Sequence, residues 1–393
     1  MSLDEILALI SELKIERESE QVSLQDALWR VLSADIKARR DLPSFDNSAL
    51  DGYAFAYRDR HQPLKVRGNV LAGDTNEYEI KQGECYKIMT GAAFVKGSDT
   101  LVALEHAKFN EKGELLVSAD IRKDNARKLK GEEIGQGDML FSAHKCLRPA
   151  DITMLAAQGI NQIKVYKRPK ISVLCTGSEI KEPGELASAK QIYNANASAI
   201  LSLLRANNYS ANYEGIIKDD KEHLKKALSK ASANADIIVT SGGASKGDAD
   251  YMADALSELS FEAVFNGISF RPASPTKLYE KDGVFVLVAP GNPLSYYVAC
   301  YFVLLTLIRH FEGFDDALPS FKLATLANEL HFKTGRDNLI IGTYENGKFS
   351  PYNNGKFSPS QILPLVKSNA FSVAKADVSV LTSGSQIKIY EIL

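Results

Sequence analysis

The sequence predicts a multidomain α/β protein organised around a doubly wound, mostly parallel sheet. Between residues 170 and 310, apolar strand-like runs alternate with helical segments, a pattern typical of parallel strands joined by right-handed crossovers. Short β-like runs separated by Gly, Asp and Asn turns fill residues 41–138 and resume after residue 314. A chain of 393 residues exceeds what one hydrophobic core usually serves, so two to four domains are expected.

The segments on either side of the first β-rich stretch have helical patterns. Apolar residues from Leu3 to Leu13 recur at helical spacing and predict a first helix. A second helix is predicted in VSLQDALWRVL, with Ser23 as its cap and Asp26 in its first turn. After the β-rich stretch, RPADITMLAAQG predicts a helix with Pro149 in its first turn and a stop at Gly159. The β-rich stretch is therefore predicted to be inserted in a helical domain formed from both flanks.

The α/β region has four apolar strands, ISVLCT, ANYEGII, ADIIVT and VFVLVAP. Helices are predicted between and after them, near residues 195–206, 220–232, 249–259 and 294–310. The apolar run at 296–308 is too short to span a bilayer of roughly 30 Å, so it is predicted to be a buried helix.

The last part of the chain, after about Phe314, has short strands and hairpin-type turns. Asn346-Gly347 and Asn354-Gly355 are the two turn signals. A small β-barrel or sandwich of about 75 residues fits this stretch.

Composition excludes several classes of partner. The formal net charge of −2 gives no reason to expect nucleic acid or an anionic membrane, so any anion must be held by local geometry. The four cysteines form no CxxC pair, which favours reduced thiols over zinc ligands or a disulfide framework. The first residues, MSLDEILALI, lack the basic start of a signal peptide. A cytoplasmic protein is expected.

Three predicted strands end in small residues that lead into a helix, in CTGSEI, TSGGASKGDAD and APGNP. In a doubly wound sheet, ligands bind beyond the carboxyl ends of the strands, where such turns aim backbone N–H groups and helix dipoles at a phosphate. Each motif alone has a simpler explanation: glycine forms turns, and Asn292 followed by Pro293 is a good helix start. Three such turns on one edge favour a phosphate or nucleotide site.

Carboxylates fall at the same predicted strand ends, and they are the hard oxygen ligands that Mg²⁺ takes together with substrate phosphates. Plain helix capping by Asp219 or Asp220, with Glu222 in a capping box, is the alternative. The six histidines show no metal-ligand spacing. The carboxylates are Glu179, Asp219, Asp220, Asp248 and Asp250.

The inserted region contains two unusual segments. In LPSFDNSALDGYAF, the pair Asp51-Gly52 alone predicts a hairpin turn. IMTGAAFVKGSDTLVALEH predicts a strand, a Thr-Gly turn and a second strand.

Together these segments resemble the MoeA / gephyrin E-domain family of molybdopterin molybdenumtransferases. The resemblance runs nearly end to end, and it is specific as a combination rather than in any single piece. It rests on residues 42–55, 88–106, 125–138, 168–185, 191–208, 215–220, 240–251 and 289–295.

The resemblance implies a four-domain chain. Residues 1–40 and 139–168 would form the split helical domain, 41–138 the inserted β-rich domain, 169–313 a domain like the pterin-adenylylating MogA/MoaB proteins, and 314–393 the C-terminal β domain. It also implies a homodimer, whose cleft joins the α/β domain of one subunit to the inserted domain of the other. The reaction implied consumes adenylylated molybdopterin and molybdate, releases AMP and is assisted by Mg²⁺. The upstream adenylyltransferase is a possible partner.

Roles for individual residues are implied position by position. Asp51 and Thr90 would reach into the partner's cleft. Glu179, Asp219 and Asp250 would handle Mg²⁺ and molybdate. The remaining implied residues are Ser241, Gly242 and Gly243 on the pterin-linked phosphate, Gly291 and Asn292 on the opposite wall, and Arg271, Arg336 and Ser360 near the oxyanion.

The chain departs from the family at one loop. Where the family usually reads KPGKP, this sequence has Arg271-Pro272-Ala273-Ser274-Pro275. Arg271 keeps the first positive charge, Ser274 replaces the second lysine, and Lys277 lies three residues further on. Glu133 also stands where the family usually has Asp, and Arg336 and Ser360 align only loosely.

Three other functions compete with molybdenum insertion. The α/β domain alone would suit a molybdopterin adenylyltransferase, although the four-domain layout argues against it. A scaffold role, as in gephyrin, lacks an extra partner domain here. The lost lysine leaves open a paralogue with another oxyanion preference, such as tungstate.

Overall fold

The structure is a computed structural model that describes residues 1–243 and 251–392. Helix α1 (Leu3–Ser11) begins with a reciprocal cap, in which Ser2 Oγ accepts from the Glu5 backbone N–H and the Glu5 carboxylate accepts from the Ser2 N–H. Its buried face, from Leu3 to Ile10, belongs to the main hydrophobic core of the α/β region. The first predicted helix is confirmed.

The second predicted helix is wrong. The segment instead forms strand β1 (Ser19–Ser23), a single 3₁₀ turn at Leu24–Asp26 and, further on, strand β2 (Ile36–Lys37). Ser23 does cap the turn, since its Oγ accepts from the Asp26 N–H. Trp29 then adopts a left-handed φ of 61°, which a helix cannot continue through.

The inserted β-rich region is built on a four-stranded sheet in the order β5-β6-β4-β7. Asp51-Gly52 is not a hairpin turn, because Gly52 starts a strand in which an added Cβ would lie 2.2 Å from the Val102 carbonyl oxygen. The close approach of strands, not a turn, requires glycine there. The strands are β3 (Asn47–Ser48), β4 (Gly52–Phe55), β5 (Lys65–Val70), β6 (Glu84–Ile88), β7 (Thr100–Ala103), β8 (Lys108–Phe109), β9 (Leu115–Leu116) and β10 (Arg127–Lys128).

The chain then returns to the N-terminal flank. Strand β11 (Met139–Phe141) pairs with β2, and strand β12 (Gln162–Tyr166) pairs with β1, both antiparallel. Between them lies the predicted helix α2 (Pro149–Ala157), which has Pro at its first position and is followed by Gly159 at a φ of 69°. The two flanks therefore meet, as expected of a domain interrupted by an insertion. The exact domain boundaries stay predictions.

The α/β region contains a six-stranded sheet in the order β16-β13-β17-β21-β20-β18. The first four strands are parallel, and β20 runs antiparallel to β21. The elements are β13 (Ile171–Thr176), β14 (Ile180–Lys181), β15 (Ile192–Tyr193), α3 (Ala195–Ala206), β16 (Ala211–Ile217), α4 (Lys221–Ser232), β17 (Ile237–Ser241), α5 (Tyr251–Glu258), β18 (Glu262–Asn266), β19 (Phe270–Arg271), β20 (Lys277–Lys281), β21 (Val284–Ala289), α6 (Pro293–Ala299) and α7 (Leu305–Phe311).

Helices α6 and α7 form one 19-residue helix through a π-helical turn at Cys300–Leu304. By length and composition this helix could cross a membrane, but 72% of its most apolar window is buried inside the fold. The predicted buried helix is therefore confirmed, but by its burial and not by its length, because the helix extends beyond residues 296–308 at both ends. The four cysteines are free thiols, and burial raises the pKa of Cys85 to about 12 and that of Cys175 to about 11.

The C-terminal region contains a small closed barrel, because β24-β25-β22-β28-β26 form a ring in which β26 pairs back to β24. Asn346-Gly347 makes the predicted hairpin turn, with φ values of 49° and 79°. The second predicted hairpin is wrong, since Asn354-Gly355 lies in a short turn at Tyr352–Gly355. The elements are β22 (Lys322–Leu326), β23 (Leu330–His331), β24 (Asp337–Glu345), β25 (Lys348–Pro351), α8 (Leu363–Val366), β26 (Ala370–Ala374), β27 (Val380–Leu381) and β28 (Gln386–Glu391).

A buried carboxylate joins the N-terminal flank to the α/β region. The Glu312 side chain has no exposed surface and accepts a hydrogen bond from Tyr209 Oη at 2.8 Å. It also accepts from Arg168 Nε at 3.3 Å, and Arg30 Nε lies 3.6 Å away. Because Arg30 lies in the N-terminal flank and Arg168 follows β12 in the second flank, Glu312 fixes both flanks on the end of α7.

Replacing Glu312 with Ala is expected to lower the free energy of unfolding by about 3–5 kcal/mol, because Tyr209 and Arg168 lose their buried acceptor and Arg30 keeps only Glu20 as an anionic partner. Urea denaturation measures the change. Glu329→Ala is the control: Glu329 pairs with His331 at 3.0 Å, but half of its side chain is exposed. We expect the control to change stability by less than about 0.5 kcal/mol. Equal losses in both variants would contradict the structural role of Glu312.

Candidate functional site

Three parallel strands end at the same level of the sheet. Cys175 of β13 is paired with Ser241 of β17, and Ser241 with Ala289 of β21. Each strand therefore ends within one residue of its neighbour. The three glycine-containing turns predicted from the sequence follow these ends and meet at one edge.

The first two turns are held by backbone contacts. The Gly242 N–H donates to the Ala289 carbonyl at 3.1 Å, and Thr176 Oγ1 donates to the Ser241 carbonyl at 3.3 Å. Gly242 has a φ of 97°, and a Cβ added there would lie 2.6 Å from Thr176 Oγ1. A Cβ on Gly291 would lie 3.8 Å from the Gly242 Cα, so the third turn packs directly on the second. Only glycine fits at position 242.

These turns open into a cleft of about 1480 Å³. The cleft is larger than the pockets of about 300–1,000 Å³ that usually hold drug-sized ligands. Nine of the residues predicted from the sequence line it: Glu179, Asp219, Ser241, Gly242, Gly243, Gly291, Asn292, Arg336 and Ser360.

The acidic part of the cleft comes from neighbouring strands. Glu179 follows β13, and Asp219 follows β16, which pairs with β13. Asp219 is not the helix cap: Asp220 takes that place by accepting from the His223 N–H at 3.0 Å. The capping alternative therefore applies to Asp220 and leaves Asp219 to line the cleft.

Two of the three predicted Mg²⁺ ligands are thus on one wall of the cleft. Asp250, the third, and Asp248 lie outside the described residues. Within residues 1–243 and 251–392, the cleft included, no three His, Cys, Asp or Glu side chains gather as a metal site. Glu179 and Asp219 fit Mg²⁺ by type, since this ion is usually held by one or two carboxylates together with phosphates.

The wall opposite the acids is formed by α6 and the C-terminal region. Asn292 is at the N-cap position of α6, as predicted, but its side chain makes no capping hydrogen bond. The N–H groups of Leu294 and Ser295 donate instead to the Pro359 carbonyl, at 3.1 and 3.4 Å. This contact brings the adjacent Ser360 into the cleft. It also means that the first N–H groups of α6 are not directed at a ligand.

The basic part of the cleft differs from the expectation for Arg271. Arg271 pairs with Asn338 in the sheet of the C-terminal region, and it is not among the described residues that line the cleft. Its strand pairing holds the start of β24, and so it positions Arg336, which does line the cleft.

Lys277 lines the cleft, although it was predicted only as a substitute for the lost lysine. It is the first residue of β20, opposite Val288 at the end of β21, and it is 6% exposed. Ser274 also lines the cleft, and its hydroxyl donates to the Phe270 carbonyl at 2.9 Å. The loop that follows Arg271 therefore places Lys277 at the sheet edge without any shift.

Asp51 and Thr90 lie in the inserted region, and neither is among the described residues that line this chain's own cleft. Asp51 Oδ1 accepts from both the N–H and the Oγ1 of Thr90, each at 2.7 Å. The Thr90 N–H holds the pKa of Asp51 below its usual range. The two residues form one exposed, ionised unit that is fixed before any ligand binds.

Sequence reasoning missed Asn196, in the second position of α3. Its Nδ2 donates to Ser241 Oγ at 2.6 Å and to the Gly291 carbonyl at 2.8 Å. Asn196 also lines the cleft and is 8% exposed. The sequence shows Asn-Ala-Asn at the start of a predicted helix. Nothing in it indicates that Asn194 caps the helix whereas Asn196 bridges two turns.

Two family descriptions match the chain. The MoeA N-terminal region (domain I and II) matches residues 1–159, and a probable molybdopterin binding domain matches residues 172–310. A molybdopterin molybdenumtransferase of Haemophilus influenzae is 29% identical over 388 residues, which are 97% of this chain and 96% of that protein. One from Nostoc sp. is also 29% identical, over 98% of this chain and 92% of that protein.

A solved structure has the same architecture. The molybdopterin biosynthesis MoeA protein from Pyrococcus horikosii has a TM-score of 0.84 and 27% identity, and the comparison covers 100% of this chain and 98% of that one. The fold and the cleft thus define a multidomain α/β protein with a probable molybdopterin binding domain. The chain belongs to the MoeA family. The predicted fold class is confirmed.

Gly242→Ala is expected to destabilise the protein more than Gly283→Ala. Both glycines have a positive φ, 97° and 80°, so both substitutions carry the strain of a left-handed alanine, about 1–2 kcal/mol. Only at Gly242 does the new methyl group also overlap Thr176, whereas no atom lies within 4 Å of it at Gly283. We expect an additional loss of about 1–3 kcal/mol in urea denaturation. Equal losses would show that the turn can open to admit a side chain.

Proposed function

We propose that this chain is a molybdopterin molybdenumtransferase: it takes adenylylated molybdopterin and molybdate, places molybdenum on the dithiolene and releases AMP. The observation that carries the proposal is the cleft in which three glycine-containing turns, two carboxylates and the side chains of Lys277, Arg336 and Ser360 meet. The relatives that match over nearly their whole length have the same name. An adenylyltransferase is not favoured, because the match includes the inserted and N-terminal regions as well as the α/β domain.

The glycine turns supply the phosphate end of the site. The Gly242 N–H is used within the fold, so the Ser241 hydroxyl and the open backbone at Gly243 are the groups left to contact a phosphate. The missing side chains allow phosphate oxygens to approach the backbone closely. These groups orient the phosphoanhydride that joins the pterin to AMP.

The carboxylates supply the metal end. Glu179 and Asp219 would hold Mg²⁺, with Asp250 as the third predicted ligand. Mg²⁺, when bound, neutralises charge on the phosphate oxygens as the phosphoanhydride is cleaved. The protein itself performs little covalent work, and its contribution is to fix the phosphate and the departing AMP in the geometry for displacement.

The basic side chains supply the oxyanion end. Arg336, Ser360 and Lys277 line the cleft on the side formed by the C-terminal region and β20. Ser274 stands where the family usually has a lysine. We propose that Lys277 takes the place of that lysine, because the Lys277 side chain brings a buried positive charge to the same sheet edge. Molybdate, a doubly charged tetrahedral anion, would be held there beside the dithiolene.

We further propose that the active enzyme is a cytoplasmic homodimer. The Asp51–Thr90 unit is ionised and exposed but lies in the inserted region, so in this arrangement it completes the cleft of the second subunit. The upstream adenylyltransferase would deliver the pterin to the open side of the cleft.

The reaction is tested directly. Purified protein incubated with adenylylated molybdopterin, Mg²⁺ and molybdate is expected to release AMP, measured by chromatography, at a rate that depends on molybdate. Sulfate and tungstate serve as comparison oxyanions. If AMP release does not depend on molybdate or on tungstate, the proposed function is wrong.

Mixing two inactive variants tests whether the cleft is shared. Asp51→Ala and Asp219→Ala are each expected to abolish AMP release. In a mixture that has exchanged subunits at equal amounts, half of the dimers are mixed, and each has one intact site. Activity is therefore expected to return to about a quarter of the wild-type value. If the site lay within one chain, no activity would return, which would exclude the shared cleft.

Substitutions at the relocated lysine test the oxyanion end. Lys277→Met keeps the length of the side chain but removes its charge, so we expect the KM for molybdate to rise about 10- to 100-fold, as for the loss of one charged contact. Ser274→Lys in the Lys277→Met background is expected to recover part of this loss. Ser274→Lys alone should leave the rate unchanged or raise it. If Lys277→Met leaves the KM for molybdate unchanged, Lys277 does not bind the anion.

A further inference from the structure

The amide of Asn196 ties together the two glycine-rich turns of the cleft. Its Nδ2 lies 2.6 Å from Ser241 Oγ, after β17, and 2.8 Å from the Gly291 carbonyl oxygen, after β21. Asn196 itself is on α3, so three separate elements meet at one nitrogen. The side chain is almost completely buried, with 8% exposed.

The orientation of this amide is fixed by chemistry. The Gly291 carbonyl can only accept a hydrogen bond, so the atom facing it must be the NH₂ group and not the amide oxygen. An amide nitrogen has two hydrogens, and here it has two acceptors. Ser241 Oγ must therefore accept from Asn196, and its own hydrogen remains to be donated elsewhere.

The Ser241 proton has no acceptor within the described parts of the chain. Asn196 Oδ1 does not take it, because that oxygen is buried without any hydrogen-bond partner among the described residues. Ser241 lines the cleft, beside Gly242 and Gly243. A buried hydroxyl whose lone pair is already used is a donor, and a donor in this place suits an anion.

We propose that Asn196 is a positioning residue that turns the Ser241 hydroxyl into a fixed donor for a phosphate oxygen bound on the 241–243 turn. The inference rests on the proposed function only for the identity of that phosphate, which would be the adenylate phosphate of the substrate. Asn196 acts through Ser241 and through the spacing of the two turns, and it does not contact the reacting atoms.

Replacing Asn196 with Asp gives the sharpest test, because the two side chains have the same shape. A carboxylate cannot donate, so the Ser241 hydroxyl would turn to donate to Asp and would no longer face the phosphate. We expect the Kd for AMP, measured by calorimetry, to rise about 10- to 100-fold, and the Kd for adenosine, which lacks the phosphate, to change less than about twofold.

Two further variants serve as controls. Asn234→Asp adds the same charge at an exposed position of the α/β region and is expected to leave both affinities unchanged. Ser241→Ala should weaken AMP binding by itself, and adding Asn196→Asp to it should have a smaller effect than in the wild-type background, since the hydroxyl is already gone.

Several outcomes would overturn the inference. It is wrong if Asn196→Asp binds AMP as the wild type does, if adenosine binding falls as much as AMP binding, if the two substitutions are additive, or if the wild type binds AMP no better than adenosine. Should Asn196→Asp not fold, as judged by thermal melting, Asn196→Ala replaces it with the same comparison of ligands.

These measurements are separate from the reaction itself. Molybdate-dependent AMP release with no effect of Asn196→Asp on AMP affinity would leave the proposed function standing without the inference. An effect on AMP affinity without molybdate-dependent release would do the reverse.

Discussion

The common level at which β13, β17 and β21 end is the constraint on which the site depends. Their pairing places Cys175, Ser241 and Ala289 side by side, so the turns that follow have no room to diverge. Parallel strands impose this arrangement because each must leave the sheet at the same edge before its crossover. The contact between Gly242 and Gly291 and the bridge made by Asn196 are consequences of that shared level.

The C-terminal barrel contributes to the cleft through two separate contacts. Strand β19 pairs with β24, and this pairing fixes Arg336. The Pro359 carbonyl accepts hydrogen bonds from N–H groups of α6, and this contact fixes Ser360. Both contacts use backbone atoms. The barrel can therefore place Arg336 and Ser360 at the cleft although the residues around them in the sequence give no sign of this position. This explains why they align only loosely with the family pattern.

Much of the α/β region could be predicted from its sequence, because buried parallel strands read as apolar runs and their helices have clear starts. The segment from Ser19 to Trp29 could not, since the sequence there predicted a helix, whereas Ser19–Ser23 pairs with Gln162–Tyr166 as a strand. That partner is more than a hundred residues away in sequence, and no local pattern indicates it. The hairpin predicted at Asn354-Gly355 was wrong for a similar reason, because the same dipeptide forms a hairpin in one place and, in another, a short turn in which Asn353 and Asn354 have positive φ.

The site was predicted where residue type and strand end coincide, as for Glu179, Ser241 and Gly291. Asn196 was missed because its role depends on distances between three elements. Arg271 and Lys277 show the limit of carrying family roles over position by position. Only the register of β19 and β20 shows that Arg271 pairs through its backbone with β24, whereas Lys277 brings its buried side chain to the cleft.

The Pro359 carbonyl accepts hydrogen bonds from the N–H groups of Leu294 and Ser295 in α6. This contact couples the docking of the barrel to the binding of a ligand in the cleft. A ligand that contacts Ser360 and Arg336 together binds only the docked arrangement, so it lowers the population of any state in which the barrel is separated from the helix. The converse follows by reciprocity: the free energy by which the ligand favours docking equals the free energy by which docking favours the ligand.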